Sequence, residues 1–225
     1  MGAEVGTRLR LGALPWLFDQ PHGCEILDLG APASGGASDS CAPARVPVPG
    51  YDGSMARLGF VQGAPKGPTL VIKAADCVTV LAVHPESGGY AALHAGWRGV
   101  AAGILPRLLS RWRRQGAHLS GVTLAFGPHI RSCCFEVRDD CLARFTAADL
   151  AGAVEMRSGG ATLDLERVLR TQAAAFGIAA HQIEALPFCT RCHQADGAHP
   201  FASYRRAQQE GRPAGRNLAY IGPAA

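Results

Sequence analysis

The sequence predicts an α/β fold with a mixed sheet, on three observations. Short apolar segments rich in β-branched residues recur at Thr69–Ala75, Val78–Val83 and Tyr90–Leu93, the composition of strands buried on both faces. Helical spacing then takes over: Val100, Ile104, Leu108, Leu109 and Trp112 fall on one side of a wheel with arginines opposite. Several connections, that at Asp76-Cys77 among them, are too short for the crossover that parallel neighbours require.

In chain order, Leu14 to Asp19 reads as a first strand ending at the turn Gln20-Pro21-His22-Gly23, and Glu25 to Leu29 as a second. From Gly30 to Gly53 the composition shifts to Ala, Pro, Gly and Ser, which buries too little apolar surface to order itself and predicts a loop or flap. Met55 to Gln62 is another strand. Pro106 falls inside the first helical pattern, where it costs about 3 kcal/mol, so a kink or restart is expected there. Gly121–Phe126 and Phe135–Val137 read as strands and Asp139–Ala147 as a short helix. A second helix has Asp164 as N-cap, Leu165, Val168, Leu169, Gln172 and Phe176 on one side, and Gly177 as its stop. Ile183–Leu186 and Leu218–Ile221 are strand-like.

The 225 residues, 48% of them hydrophobic, suit one domain with a substantial core. A net charge of +4, with Arg111 to Arg114 as the longest basic run, is no nucleic-acid footprint, because that run alternates with Trp112 on a helix. No segment approaches the roughly 18 apolar residues of a membrane span, and MGAEVGTRLRLGALPW lacks the apolar core of a signal peptide. The expectation is therefore a cytoplasmic protein with reduced thiols, neither nucleic acid nor membrane as partner, and a monomeric or weakly dimeric state. The eight cysteines then need a role as small buried residues or as chemical ones.

Cys77 and His94 each end a buried strand and precede a polar or glycine-rich turn, where open α/β sheets place their ligands. Either alone suits a core residue; together they form a candidate site. His22 would complete three zinc ligands with a fourth position left to water, whose pKa the metal lowers to about 7. From spacing alone His22 reads first as a surface histidine in a turn. Gly96-Trp97-Arg98-Gly99 opens a helix, and its glycines, free N–H groups and Arg98 favour an anion such as phosphate. Cys189-Thr190-Arg191-Cys192-His193 has the form of a c-type haem attachment sequence, which would need export. It reads first as a turn carrying buried thiols; with His199 it also has the donors of a zinc knuckle, at unusual spacing.

These blocks, Ala75-Asp76-Cys77, His94-Ala95-Gly96-Trp97-Arg98-Gly99, Gly127-Pro128 through Cys134-Phe135-Glu136-Val137, Cys189-Thr190, Ser203-Tyr204-Arg205-Arg206 and Gly215-Arg216, resemble in order those of the bacterial laccase-domain family. That family was called multicopper polyphenol oxidase and is now regarded as zinc-dependent purine nucleoside phosphorylase. The resemblance implies an α/β/α sandwich related to cysteine deamidase toxins. It implies a single catalytic domain over 1–225 without the family's usual Thr-Arg-x-Gly-Gly segment. It also implies Zn2+, with Cu2+ as alternative, on His22, Cys77 and His94 as catalytic and metal residues. Arg98, Gly96, Gly99 and Arg205 are the implied substrate or phosphate contacts, and Asp76 or Glu136 the proton shuttle. Adenosine, inosine and methylthioadenosine are then cleaved by phosphate, with adenosine deamination alongside.

Three rivals stand beside this reading. A cysteine hydrolase or amidase, of the kind linked to peptidoglycan precursor editing, would use Cys77 as nucleophile and His94 as base. A copper polyphenol oxidase needs further histidine clusters than the eight scattered histidines offer. A non-enzymatic metal-binding remnant is the third.

Overall fold

The computed structural model describes residues 20–29, 50–57, 59–61 and 64–223. The strand expected at Leu14–Asp19 and most of the Gly30–Gly53 loop lie outside the described residues.

The fold is mixed α/β, as the alternation predicts. Its central sheet holds β1 (Ile26–Asp28), β2 (Gly53–Arg57), β6 (Val78–His84), β7 (Gly89–Ala95), β8 (Thr123–Phe126) and β12 (Ile183–Ala185), in the order β1-β2-β7-β6-β8-β12. The outer pairs β1/β2 and β8/β12 are parallel, whereas β2/β7, β7/β6 and β6/β8 are antiparallel. β7 is buried at every position, in keeping with its apolar run from Tyr90 to Leu93 ahead of His94.

Helices α1 (Trp97–Ala101), α2 (Ile104–Arg114) and α5 (Leu165–Ala174) cover one face, where Val78, Val80, Ala91 and Leu93 meet Val100, Leu108, Leu109, Val168 and Leu169. The other face carries a ribbon of β5 (Leu70–Ala74) and β13 (Asn217–Ile221), packed through Leu70 and Ile72 on Tyr90 and Ala92. Two basic side chains of α2 reach the sheet edge, Arg107 pairing with Glu25 at 3.3 Å and Arg111 donating to the Ile26 carbonyl at 3.1 Å.

The helix break comes earlier than the proline suggested. Gly103, at φ 78, separates α1 from α2, and Pro106 falls in the first turn of α2, where its missing N–H breaks no helical bond. The strand read at Met55–Gln62 is in fact β2 followed by β3 (Gly59–Val61), whose partner is β4 (Ala64–Lys66). The helix read at Asp139–Ala147 is two single turns, α3 (Asp139–Leu142) and α4 (Ala147–Leu150). The hairpin of β10 (Val154–Arg157) and β11 (Gly160–Leu163) went unread because both strands are short and β10 is largely exposed, whereas β9 (Glu136–Val137), which pairs with β11, lies within the strand read at Phe135–Val137. Asp164 caps α5 by accepting from the Arg167 N–H at 3.0 Å, and Gly177 stands at φ 83 after it, as read. The segment after Phe201 forms α6 (Tyr204–Gln209), capped by Ser203.

A Cβ at Gly103 would meet only Pro106, at 3.7 Å, so Gly103→Ala should cost only the left-handed backbone strain, about 1–2 kcal/mol. Urea unfolding would measure this; an unchanged midpoint would mean that the break between α1 and α2 does not depend on that conformation.

Candidate metal centre

The centre is built on the turn Gln20–Gly23. Gln20 is buried, and its side-chain amide donates to the Lys73 carbonyl at 2.6 Å and accepts from the Lys73 N–H at 2.9 Å, as a strand partner to β5 would. Gln20 and His22 both have left-handed backbone, φ 60 and 65, a conformation that non-glycine residues hold only when the surroundings impose it. The constraint comes from Asp52, which is fully buried. Its Oδ1 accepts from the His22 N–H at 2.9 Å and its Oδ2 from the Gly23 N–H at 2.6 Å.

Asp52 also reaches the next strand. Gly53 pairs with Leu93, so Asp52 stands opposite His94; its carbonyl accepts the His94 N–H at 2.7 Å and its Oδ1 lies 3.1 Å from His94 Nδ1. A carboxylate only accepts here, so Nδ1 carries a proton in either charge state of the ring, and Nε2 is the nitrogen whose lone pair the neutral ring offers to a metal. Cys77 enters from the turn between β5 and β6, where Asp76 has φ 85.

The ligating atoms of His22, Cys77 and His94 all lie within 4.8 Å of one another, with His94 buried, Cys77 half-buried and His22 exposed. The two imidazoles meet edge to face, their centroids 4.8 Å apart. Gly96 faces this group: a Cβ there would sit 3.1 Å from Cys77 Sγ and 3.2 Å from His22 Cδ2. Gly99 abuts the Gly23 carbonyl, and an added Cβ would collide with it. Both glycines thus let α1 close against the His22 turn. Two imidazoles, one thiol and a carboxylate behind one imidazole form a donor set suited to a borderline-soft ion with one side open to solvent.

A family model described as multi-copper polyphenol oxidoreductase laccase matches residues 4–223. The chain belongs to this family. Among its relatives, a purine nucleoside phosphorylase of Streptomyces coelicolor is 34% identical over 170 residues, covering 76% of this chain and 67% of its own length. The purine nucleoside phosphorylase YlmD of Geobacillus stearothermophilus is 32% identical over 210 residues, covering 91% and 70%. An adenosine deaminase from an unknown prokaryotic organism is 30% identical over 176 residues, covering 76% and 62%. The crystal structure of YlmD superposes with a TM-score of 0.75 at 28% identity, over 99% of this chain and 78% of that one.

In this laccase-family chain the group is electrostatically coupled. Burial pushes the Cys77 thiol up, but hydrogen bonds from His22 and His94 outweigh it and bring it from 9.0 down to about 7. Burial likewise disfavours charge on His94, yet Asp52 and then Cys77 reverse this and raise it from 6.5 to about 9. Without metal the pair is therefore thiolate and imidazolium between those two values.

The other expected residues fall less uniformly. Both Asp76 oxygens are engaged, Oδ1 by the Thr190 hydroxyl and Oδ2 by the Arg205 N–H, each at 2.7 Å. Arg98 is exposed, its guanidinium 4.3 Å from the Trp97 ring centre. Arg205 donates to the Glu136 carbonyl at 3.2 Å, and the Glu136 side chain is exposed on β9. The histidines weighed for a knuckle are not grouped with Cys189 and Cys192: the His193 ring packs at a tilt on Phe188, and His199 Nδ1 bonds the His193 carbonyl at 2.9 Å. Asp52 was missed altogether, because it lies at the end of a Gly- and Pro-rich stretch with nothing in its neighbours to mark it.

Asp52→Ala should weaken zinc binding by about 10- to 100-fold, read by competition with a chromophoric chelator; equal affinity would remove Asp52 from the support of this group. In chelator-treated protein, alkylation of Cys77 by iodoacetamide should rise with pH to a plateau with its midpoint at about 7. The thiolate reacts and the thiol does not. A midpoint near 9 would mean that the imidazoles do not stabilise the thiolate.

Proposed function

We propose that this chain is a zinc-dependent purine nucleoside phosphorylase that cleaves adenosine, inosine and methylthioadenosine with phosphate and deaminates adenosine as a side activity. The observation that carries the reading is the convergence of His22, Cys77 and His94 within 4.8 Å, with Asp52 bonded to both histidines. The names of the relatives supply the substrate class.

A zinc ion in this group supplies Lewis acidity and makes water a nucleophile near neutral pH. The chain's own residues do the rest. Asp52 holds the proton on His94 Nδ1, so that Nε2 would be the nitrogen to hold the ion, and fixes the backbone that carries His22. Cys77 contributes a thiol whose proton is already weakly held near neutrality. The exposed edge at His22 is where substrate enters. Arg98 and Arg205 are the cations offered to phosphate, with Gly96 and Gly99 bringing the start of α1 close. Of the two candidate proton shuttles, Glu136 has the freer carboxylate, because both oxygens of Asp76 already accept hydrogen bonds. Zinc suits the centre better than multicopper oxidation, since among the described residues no further histidine cluster accompanies it.

A cysteine hydrolase is the second reading, and one observation favours it. Cys77, His94 and Asp52 stand in the order of a nucleophile, a base and the carboxylate that orients the base.

Incubation with adenosine and phosphate should yield adenine and ribose 1-phosphate by mass spectrometry, with activity abolished by chelation, restored by Zn2+ and lost in His22→Ala. Turnover that survives chelation while Cys77 becomes covalently trapped by an electrophile would replace this reading with the hydrolase.

A further inference from the structure

A second group of thiols lies on other loops. Cys133 and Cys134 end the turn after β8, and Cys189 and Cys192 belong to the loop after β12; their four sulfur atoms all lie within 4.8 Å of one another. Cys133 Sγ is 3.7 Å from Cys134 Sγ and 3.7 Å from Cys192 Sγ. Cys189 also contacts Cys133 and Cys192, and Cys192 contacts Cys134. A zinc ion bound tetrahedrally by four thiolates has Zn–S bonds of about 2.3 Å, which sets the sulfur–sulfur edge at about 3.8 Å. The two 3.7 Å separations match that edge and are far from the about 2.05 Å of a disulfide. Disulfides would also join the thiols in pairs, with no reason for four sulfurs to gather about one point.

We infer that Cys133, Cys134, Cys189 and Cys192 form a structural zinc site, distinct from the centre at Cys77 and independent of the function proposed for that centre.

The surroundings fit a charged cluster. The backbone N–H groups of Arg131, Arg191 and Cys192 point at the Cys189 sulfur. Four thiolates so close cannot ionise together without a cation. Arg191 donates to Cys134 Sγ at 3.4 Å, placing a positive charge beside a centre that would carry net negative charge.

The architecture also has use for a clamp. Between β12 and α6 the chain has only isolated bridges, one of them joining Cys189 to His129, and the local apolar cluster is no more than Ile130, Cys134 and Cys189 with Phe135 against it. So small a core orders little chain unaided, and a structural metal supplies what is lacking. Thr190, inside the Cys189–Cys192 loop, holds the Asp76 carboxylate beside Cys77, so a clamp here steadies the turn that carries that thiol. The two cysteines of the Cys189–Cys192 turn are thus joined by Cys133 and Cys134, where the knuckle weighed from the sequence had His193 and His199.

The test uses the full chain purified under reducing conditions. Cys77→Ala protein should retain about one zinc ion per chain, and its zinc X-ray absorption should fit a shell of sulfur alone at about 2.3 Å. In Cys192→Ser, metal content should fall by about one ion per chain relative to wild type. If that variant does not fold, the Cys77→Ala spectrum decides. Folded Cys77→Ala without metal, an iron cluster in the four-cysteine group, or a disulfide among these cysteines in mass mapping would each overturn the proposal.

Discussion

One carboxylate organises the centre. Asp52 has no exposed surface, and a charge in that position is tolerated only if its oxygens are well bonded. They accept the backbone N–H groups of His22 and Gly23 and the imidazole of His94. One buried anion therefore holds a strained turn, sets a tautomer and joins two segments far apart in the chain. The left-handed backbone at His22 persists because two hydrogen bonds to a charged acceptor, each worth about 1.5–3 kcal/mol, exceed the strain of about 1–3 kcal/mol.

The sheet supplies the second half of the arrangement. β7 lies between β2 and β6, so that its last residues have Asp52 on one side and Thr79, next but one to Cys77, on the other. Antiparallel pairing brings these strand ends together, β6 and β7 as consecutive strands and β2 across the intervening β3 to β6. Gly96 and Gly99 then let α1 begin within contact of the His22 turn, which leaves solvent to reach the group from the His22 side while His94 remains buried.

A chain of hydrogen bonds links the two sulfur-bearing regions. Asp76 carries Thr190 on one oxygen and the start of α6 on the other, and its carbonyl accepts the Ile130 N–H at 3.0 Å. Arg206, almost wholly buried, adds bonds to the carbonyls of Thr190 and Arg191, both at 2.7 Å. The loop bearing Cys189 and Cys192 is thereby fastened to the turn bearing Cys77, and order in one supports order in the other.

The sequence by itself determined the α/β class, β5 to β7, the capped helix from Asp164 to Gly177, and Cys77 and His94 as strand-end residues, because each rests on local periodicity or turn chemistry. The resemblance carried His22 into the same group. Only the tertiary structure decided that Asp52 supports both histidines, that Gly103 and not Pro106 divides the helices, and that Cys133 and Cys134 meet Cys189 and Cys192. Those facts depend on strand register and loop docking between residues tens of positions apart. No local pattern encodes such distances, since a side chain two loops away leaves no mark on its neighbours in the chain.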